Sequence, residues 1–75
     1  MERLQIFQER LLIARRRQGI SQTLLAEKAR LFKTDISKYE RGVSMPTLTR
    51  LVRLAEALGI STDYLLGLER HVCKI

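Results

Sequence analysis

The sequence predicts an all-α fold, a single compact domain of about five short helices. Three observations carry this. No stretch alternates apolar and polar residues as a half-buried strand does. Apolar residues recur instead at spacings of three and four. The one proline and four glycines fall between those periodic stretches and not inside them. At 75 residues the chain is near the lower end of what folds without disulfides or metals.

Each element can be justified in order. The spacing predicts a first helix over about residues 5–18, with Phe7, Leu11 and Ala14 on one face. Gly19 follows as a stop. Ser21 is a good N-cap for a second helix over 22–29, because its hydroxyl accepts an orphan amide hydrogen. Leu25, Ala26 and Ala29 form that helix's inner face. A third helix over 33–41 turns Ile36 and Tyr39 inward and stops at Gly42. Pro46 ends the loop that follows, and Thr47 caps a fourth helix over 48–58 with Leu48, Leu51, Leu54, Ala55 and Leu58 on one face. Ser61 caps a short fifth helix over 62–66, closed by Gly67. Ile20, Leu31, Ile60, Tyr64 and Leu65 are expected to plug the ends of the core. Residues 1–67 then form the domain and 68–75 a tail.

Charge is unevenly placed. The chain carries 14 Lys and Arg against 8 Asp and Glu, and residues 10–41 hold nine of the basic and three of the acidic ones. The net charge of +6 therefore resides in that window. A positive field on a helical hairpin points to a polyanion. A sequence pI near 10.3 also fits a basic membrane-surface helix or a ribosome-associated protein, so charge alone does not choose. Arg15, Arg16 and Arg17 do not make one stripe, since adjacent side chains on a helix point in three directions.

Several classes are disfavoured. A lone Cys73 forms no internal disulfide and suits a reducing cytosol, and with only His71 beside it a structural zinc site is not expected. No apolar run approaches the roughly 20 residues of a membrane helix. The start, MERLQIFQERL, mixes acidic with apolar residues and has no cleavage site of small residues, so it is not a signal peptide. No set of residues supports catalysis, and neither a cofactor nor a small-molecule ligand is implied. Ser21 is explained as a cap.

The third helix carries the chemistry. With Ile36 as the core direction, Tyr39 and Glu40 fall within about 60° of it. Thr34, Lys38 and Arg41 lie opposite, with Ser37 and Lys33 on one flank and Asp35 on the other. A helix of this width fits the major groove of B-DNA. Lys33 and Lys38 can donate to guanine O6 and N7, and Thr34 can meet a base edge or a thymine methyl. Arg41 and Ser44 are better placed for phosphate, and Gln22 can anchor phosphate together with the amides that start the second helix. Asp35 repels phosphate, so it either accepts from cytosine N4 or helps complete the helix start.

Residues Ser21 to Gly42 resemble the helix-turn-helix of the phage-repressor, Cro-like family, also called the xenobiotic-response-element family. The resemblance extends over about residues 6–67. It rests on Gly19-Ile20-Ser21-Gln22, Leu25-Ala26-Glu27-Lys28 and Ile36-Ser37-Lys38-Tyr39-Glu40-Arg41-Gly42. It continues through Pro46-Thr47-Leu48, Leu54 to Ser61, and Asp63-Tyr64-Leu65-Leu66-Gly67. The resemblance implies a five-helix, lambda-repressor-like domain whose third helix enters the major groove, binding its operator as a homodimer. It implies that Lys33, Thr34, Ser37 and Lys38 face the bases, and that Gln22 anchors phosphate and buttresses a base-reading side chain. It further implies that Ala26 lets the second and third helices cross closely and that Arg15 and Glu40 form a partly buried ion pair.

This chain departs from the family at two places in the turn. Arg30 stands where the family usually has Gly, at a backbone position that often takes positive φ, at a cost on the order of 1 kcal/mol. Phe32 stands at the N-cap of the third helix where the family usually has Ser or Thr, so that helix starts without its side-chain cap unless Thr34 or Asp35 substitutes. Arg30 can add a phosphate contact, and Phe32 can stack on a deoxyribose or touch a thymine methyl.

Ile6 and Ile13 form a separate stripe, and Leu12, Leu24, Leu68, Val72 and Ile75 also lack a core role. That surplus fits a subunit interface or a tail folded over the first helix; a homodimer through the fifth helix and the tail is favoured over a monomer–dimer equilibrium. The functional expectation is a cytoplasmic, nucleoid-associated bacterial or phage regulator, a repressor of a nearby promoter acting on double-stranded DNA. A small antitoxin or protein-interaction module, with DNA binding secondary, is the rival. A single-strand RNA binder is disfavoured by the shortage of aromatic residues for stacking.

Overall fold

The computed structural model describes residues 2–68, which fold as five helices. They are α1 (Glu2–Gln18), α2 (Gln22–Ala29), α3 (Lys33–Glu40), α4 (Leu48–Leu58) and α5 (Thr62–Leu66). The expectations that rested on His71, Val72, Cys73 and Ile75 lie outside the described residues.

Caps set most boundaries. The hydroxyls of Ser21, Thr47 and Ser61 accept from the backbone N–H of Leu24, Arg50 and Tyr64, each satisfying an orphan donor of its helix. α1 begins at Glu2, not near residue 5. Its extra turn is useful because the Arg3 Nη1 donates to the Leu66 carbonyl at 2.6 Å. α3 ends at Glu40, with Arg41 as its C-cap. Gly67 closes α5 as its C-cap, and the Leu68 N–H beyond it donates to the Asp63 carbonyl at 2.8 Å.

α1 acts as the spine. Its inner row of Phe7, Leu11 and Ala14 packs with Leu25, Ala26 and Ala29 of α2, Ile36 and Tyr39 of α3, Leu51, Leu54, Ala55 and Leu58 of α4, and Leu65 of α5. Phe7 and Tyr39 meet edge to face, centroids 6.0 Å apart. Ile20, Leu31 and Ile60 pack partly buried against this core. Leu48 corrects the expected list. It continues the inner row by one turn but is 75 % exposed, because the row runs past the part of α4 that other helices cover.

Polar side chains of α1 also satisfy the ends of the last two helices. Arg10 Nη1 donates to the Tyr64 carbonyl at 2.9 Å, its guanidinium lying 4.6 Å from the centre of the Tyr64 ring. Gln18 Nε2 donates to the Leu58 carbonyl. Both carbonyls lie in the last turn of their helices, and that of Tyr64 also accepts from the Gly67 N–H at 3.1 Å.

Candidate nucleic-acid interface

α2 and α3 meet across a tight turn that two unusual residues shape. Arg30 is the C-cap of α2 in the left-handed region (φ 59°, ψ 46°), the one such non-glycine among the described residues. This bends the chain so that the Leu31 N–H reaches the Ala26 carbonyl at 2.8 Å. Phe32 then caps α3 with an extended backbone and no acceptor in its side chain. Asp35 supplies the other half of a capping box, its Oδ2 accepting from the Phe32 N–H at 3.1 Å. The sequence left Asp35 two roles, and here its carboxylate is turned to the helix start.

Asp35 is in turn held from α4. Arg50 Nη1 lies 3.5 Å from Asp35 Oδ1 and donates to the Tyr39 hydroxyl at 3.2 Å. The Tyr39 hydroxyl foremost, and Asp35 after it, hold the Arg50 guanidinium above its ordinary pKa. Sequence reasoning missed Arg50. It lies on a different helix from both partners, so no periodicity could pair them.

The inner side of α3 is anchored by a carboxylate. Arg15 Nε and Nη2 donate to Glu40 Oε2 and Oε1 at 2.6 and 3.1 Å. Gln22 Nε2 adds a third bond to Oε1 at 2.9 Å. The Glu40 and Arg15 side chains are only 6 % and 15 % exposed. Arg15 Nη1 also donates to the Ile20 carbonyl, so one guanidinium links α1, the start of α2 and the end of α3. Gln22, expected as a phosphate anchor, stands half-buried at the first position of α2 with one amide hydrogen on Glu40.

The outer side is different. Lys33, Thr34, Lys38 and Arg41 are exposed, and Ser37 is half-buried beside them. Arg41 Nε reaches back to the Ser37 carbonyl at 3.4 Å. Arg30 and Phe32 are exposed at the turn, and Ser44 is half-buried in the loop after α3. Not all of the basic window faces solvent: Arg10 is engaged with α5 and Arg15 with Glu40. Among the described residues no group of His, Cys, Asp and Glu could hold a metal. No helix there is long and apolar enough to cross a membrane. An open groove of about 360 Å³ lies between the end of α1 and the α4–α5 connection, with Arg17, Gln18 and Tyr64 in its walls. None of the reading-face residues lines it.

Two short helices crossing at a tight turn, the second buried by one face and basic on the other, define a helix-turn-helix DNA-binding domain. The model of the helix-turn-helix family HTH_3 matches residues 11–65, and the chain belongs to that family, of the phage-repressor, Cro-like type. It is similar to the HTH-type transcriptional regulator ImmR of Bacillus subtilis, 39 % identical over 59 residues that make up 79 % of this chain and 46 % of ImmR. It is equally similar to the cryptic phage CTXphi transcriptional repressor RstR of Vibrio cholerae, over 79 % of this chain and 53 % of RstR. The chain spans about half the length of the curated relatives it matches. Among solved structures, the P22 c2 repressor in complex with a synthetic operator superposes with a TM-score of 0.80 at 32 % identity, covering 84 % of this chain and 96 % of that one. The restriction-modification controller protein C.AhdI of Aeromonas hydrophila gives 0.81 at 32 %, covering 87 % and 98 %. The five-helix, all-α architecture is that of these repressor-like domains.

Proposed function

We propose that the chain is a sequence-specific transcriptional regulator, a repressor, that binds a two-fold-related operator in double-stranded DNA as a homodimer. The observation that carries this is the division of α3: Ile36, Tyr39 and Glu40 are buried while Lys33, Thr34, Lys38 and Arg41 stand outside. In this reading Lys33, Thr34, Ser37 and Lys38 face base edges. Gln22, Arg30, Arg41 and Ser44 grip phosphate and set the register. Arg15 and Glu40 hold the helix without touching DNA. The names of the relatives agree, RstR being a repressor and the P22 c2 protein being solved with an operator. Exposed Ile13, Leu24 and Leu68 supply apolar area for a second copy. The same area serves the antitoxin reading, but that reading gives the basic face of α3 no part. A regulator of this kind resides in the cytoplasm with the nucleoid.

The test is selection of bound duplexes from a random pool, followed by fluorescence anisotropy against salt. The selected site should be a palindrome, occupied by two chains, preferred over random duplex by at least about 1,000-fold at physiological salt. Lys33→Ala and Thr34→Ala should relax the preference, whereas Arg41→Ala should weaken all sequences alike and flatten the salt slope by about one. Equal affinity for every duplex, or none, would end the proposal.

A further inference from the structure

The ring of Phe32 lies almost wholly outside the fold. It is 77 % exposed, the most exposed of the large apolar side chains described. Phe32 occupies an N-cap position without supplying the cap acceptor that Ser or Thr would bring there. Its neighbours behave otherwise: Leu31 packs against the core, and Lys33 and Thr34 open the basic face. A residue that breaks the local rule on both counts marks a place where the sequence serves something other than stability.

Its backbone is nevertheless tightly held. Left-handed Arg30 fixes the chain before it, and its own N–H is bound by Asp35, which Arg50 braces from α4. The ring therefore projects from a fixed point at the N-terminal end of α3. That is the end which helix-turn-helix proteins bring to base edges. The ring has no donor or acceptor with which to read a base, and the apolar feature that the major groove itself offers is the C5-methyl of thymine.

We infer that Phe32 is a specificity-determining residue that reads a pyrimidine C5-methyl group, a thymine methyl in unmodified DNA, beside the bases met by Lys33 and Thr34. The inference rests on the proposed reading role of α3. A deoxyribose contact would bury the same ring, but every sequence offers a deoxyribose, so it gives no discrimination and can be separated by experiment.

The experiment uses the full chain and the site selected from the random pool. Each thymine is replaced in turn by uracil, which removes the methyl and leaves the hydrogen-bonding edge unchanged. At one position per half-site, uracil should weaken wild-type binding by about fourfold, the effect of one methyl returned to water. Phe32→Ala should weaken binding to the thymine site and be indifferent to uracil at that position. Phe32→Leu, which keeps an apolar contact, should remain sensitive, and thermal melts of both variants should match the wild type to within a few degrees. Methylating the cytosines of the site provides the other arm. A gain on 5-methylcytosine that Phe32→Ala abolishes supports the same contact and moves it to a modified base. If uracil is silent throughout and methylation without effect, or if Phe32→Ala loses equally on thymine and uracil duplexes, the inference is overturned. If no preferred site emerges from the pool, the regulator reading fails first and takes this inference with it.

Discussion

Replacing Glu40 by alanine tests how the basic face of α3 is held in place. The carboxylate accepts three bonds, two from Arg15 and one from Gln22, in surroundings that leave its side chain 6 % exposed. Its removal leaves the Arg15 guanidinium, 15 % exposed, with the Ile20 carbonyl as its acceptor among the described residues, and takes from Gln22 the acceptor of its amide. Breaking a buried pair on one side costs about 3–5 kcal/mol, so at least about 3 kcal/mol is expected. A domain of this size holds in total only about 4–11 kcal/mol. With a shift of about 4–8 °C for each kcal/mol, Glu40→Ala should melt about 12–24 °C below the wild type. Circular dichroism against temperature and urea measures this, with an unchanged urea slope showing that the native state is the one affected. Replacing Arg15 and Glu40 together by Met and Leu should recover much of the loss, because no charge is then stranded. A melting curve shifted by only a degree or two would refute the reasoning.

Other substitutions probe the turns. Gly42 has φ +75° and a Cβ there would lie 2.5 Å from Gln8 Oε1, whereas Gly59, at φ +66°, has nothing within 4 Å. Gly59→Ala should therefore cost about 1 kcal/mol from backbone strain alone, and Gly42→Ala slightly more in the same urea melts, because the amide end of the flexible Gln8 side chain must also move aside. Arg30→Gly should relieve the left-handed strain and stabilise by up to about 1 kcal/mol. In the same variant the salt slope of duplex binding should fall by about one if Arg30 meets a phosphate. Asp35→Ala removes the acceptor at the Phe32 N–H and the carboxylate facing Arg50. It should cost about 1 kcal/mol, read by thermal melting, without the large fall expected at Glu40.

Much of the fold was legible because its signals are local. Ser21, Thr47 and Ser61 marked the starts of α2, α4 and α5, and the apolar spacing found the fully buried side chains from Phe7 to Leu58, with Leu65 expected as a plug at the end of the core. What escaped depends on partners remote in the chain. The early start of α1 makes sense only with Leu66, 63 residues away, to receive Arg3. Leu48 has the right phase for the core, but phase says nothing of whether another helix covers that end. Asp35 was ambiguous until Arg50 and the Phe32 amide gave it partners. For the DNA-facing surface, the wheel separates inner from outer residues on α3. It cannot assign which outer side chain meets base and which meets phosphate, since that depends on the docked duplex.

Among the described residues, three bonds from α1 to the ends of α4 and α5 share an asymmetry. Their donors are particular side chains, Arg3, Arg10 and Gln18, but their acceptors are main-chain carbonyls of Leu66, Tyr64 and Leu58. Every amino acid carries that carbonyl. Mutational drift on the receiving helices thus leaves the acceptors in place, while drift on α1 removes a bond outright. Leu66, only half-buried, is the clearest case of a position free to change identity while its attachment persists. At Leu66 the attachment of the last helix therefore depends on which residue stands on α1 and not on which stands on α5.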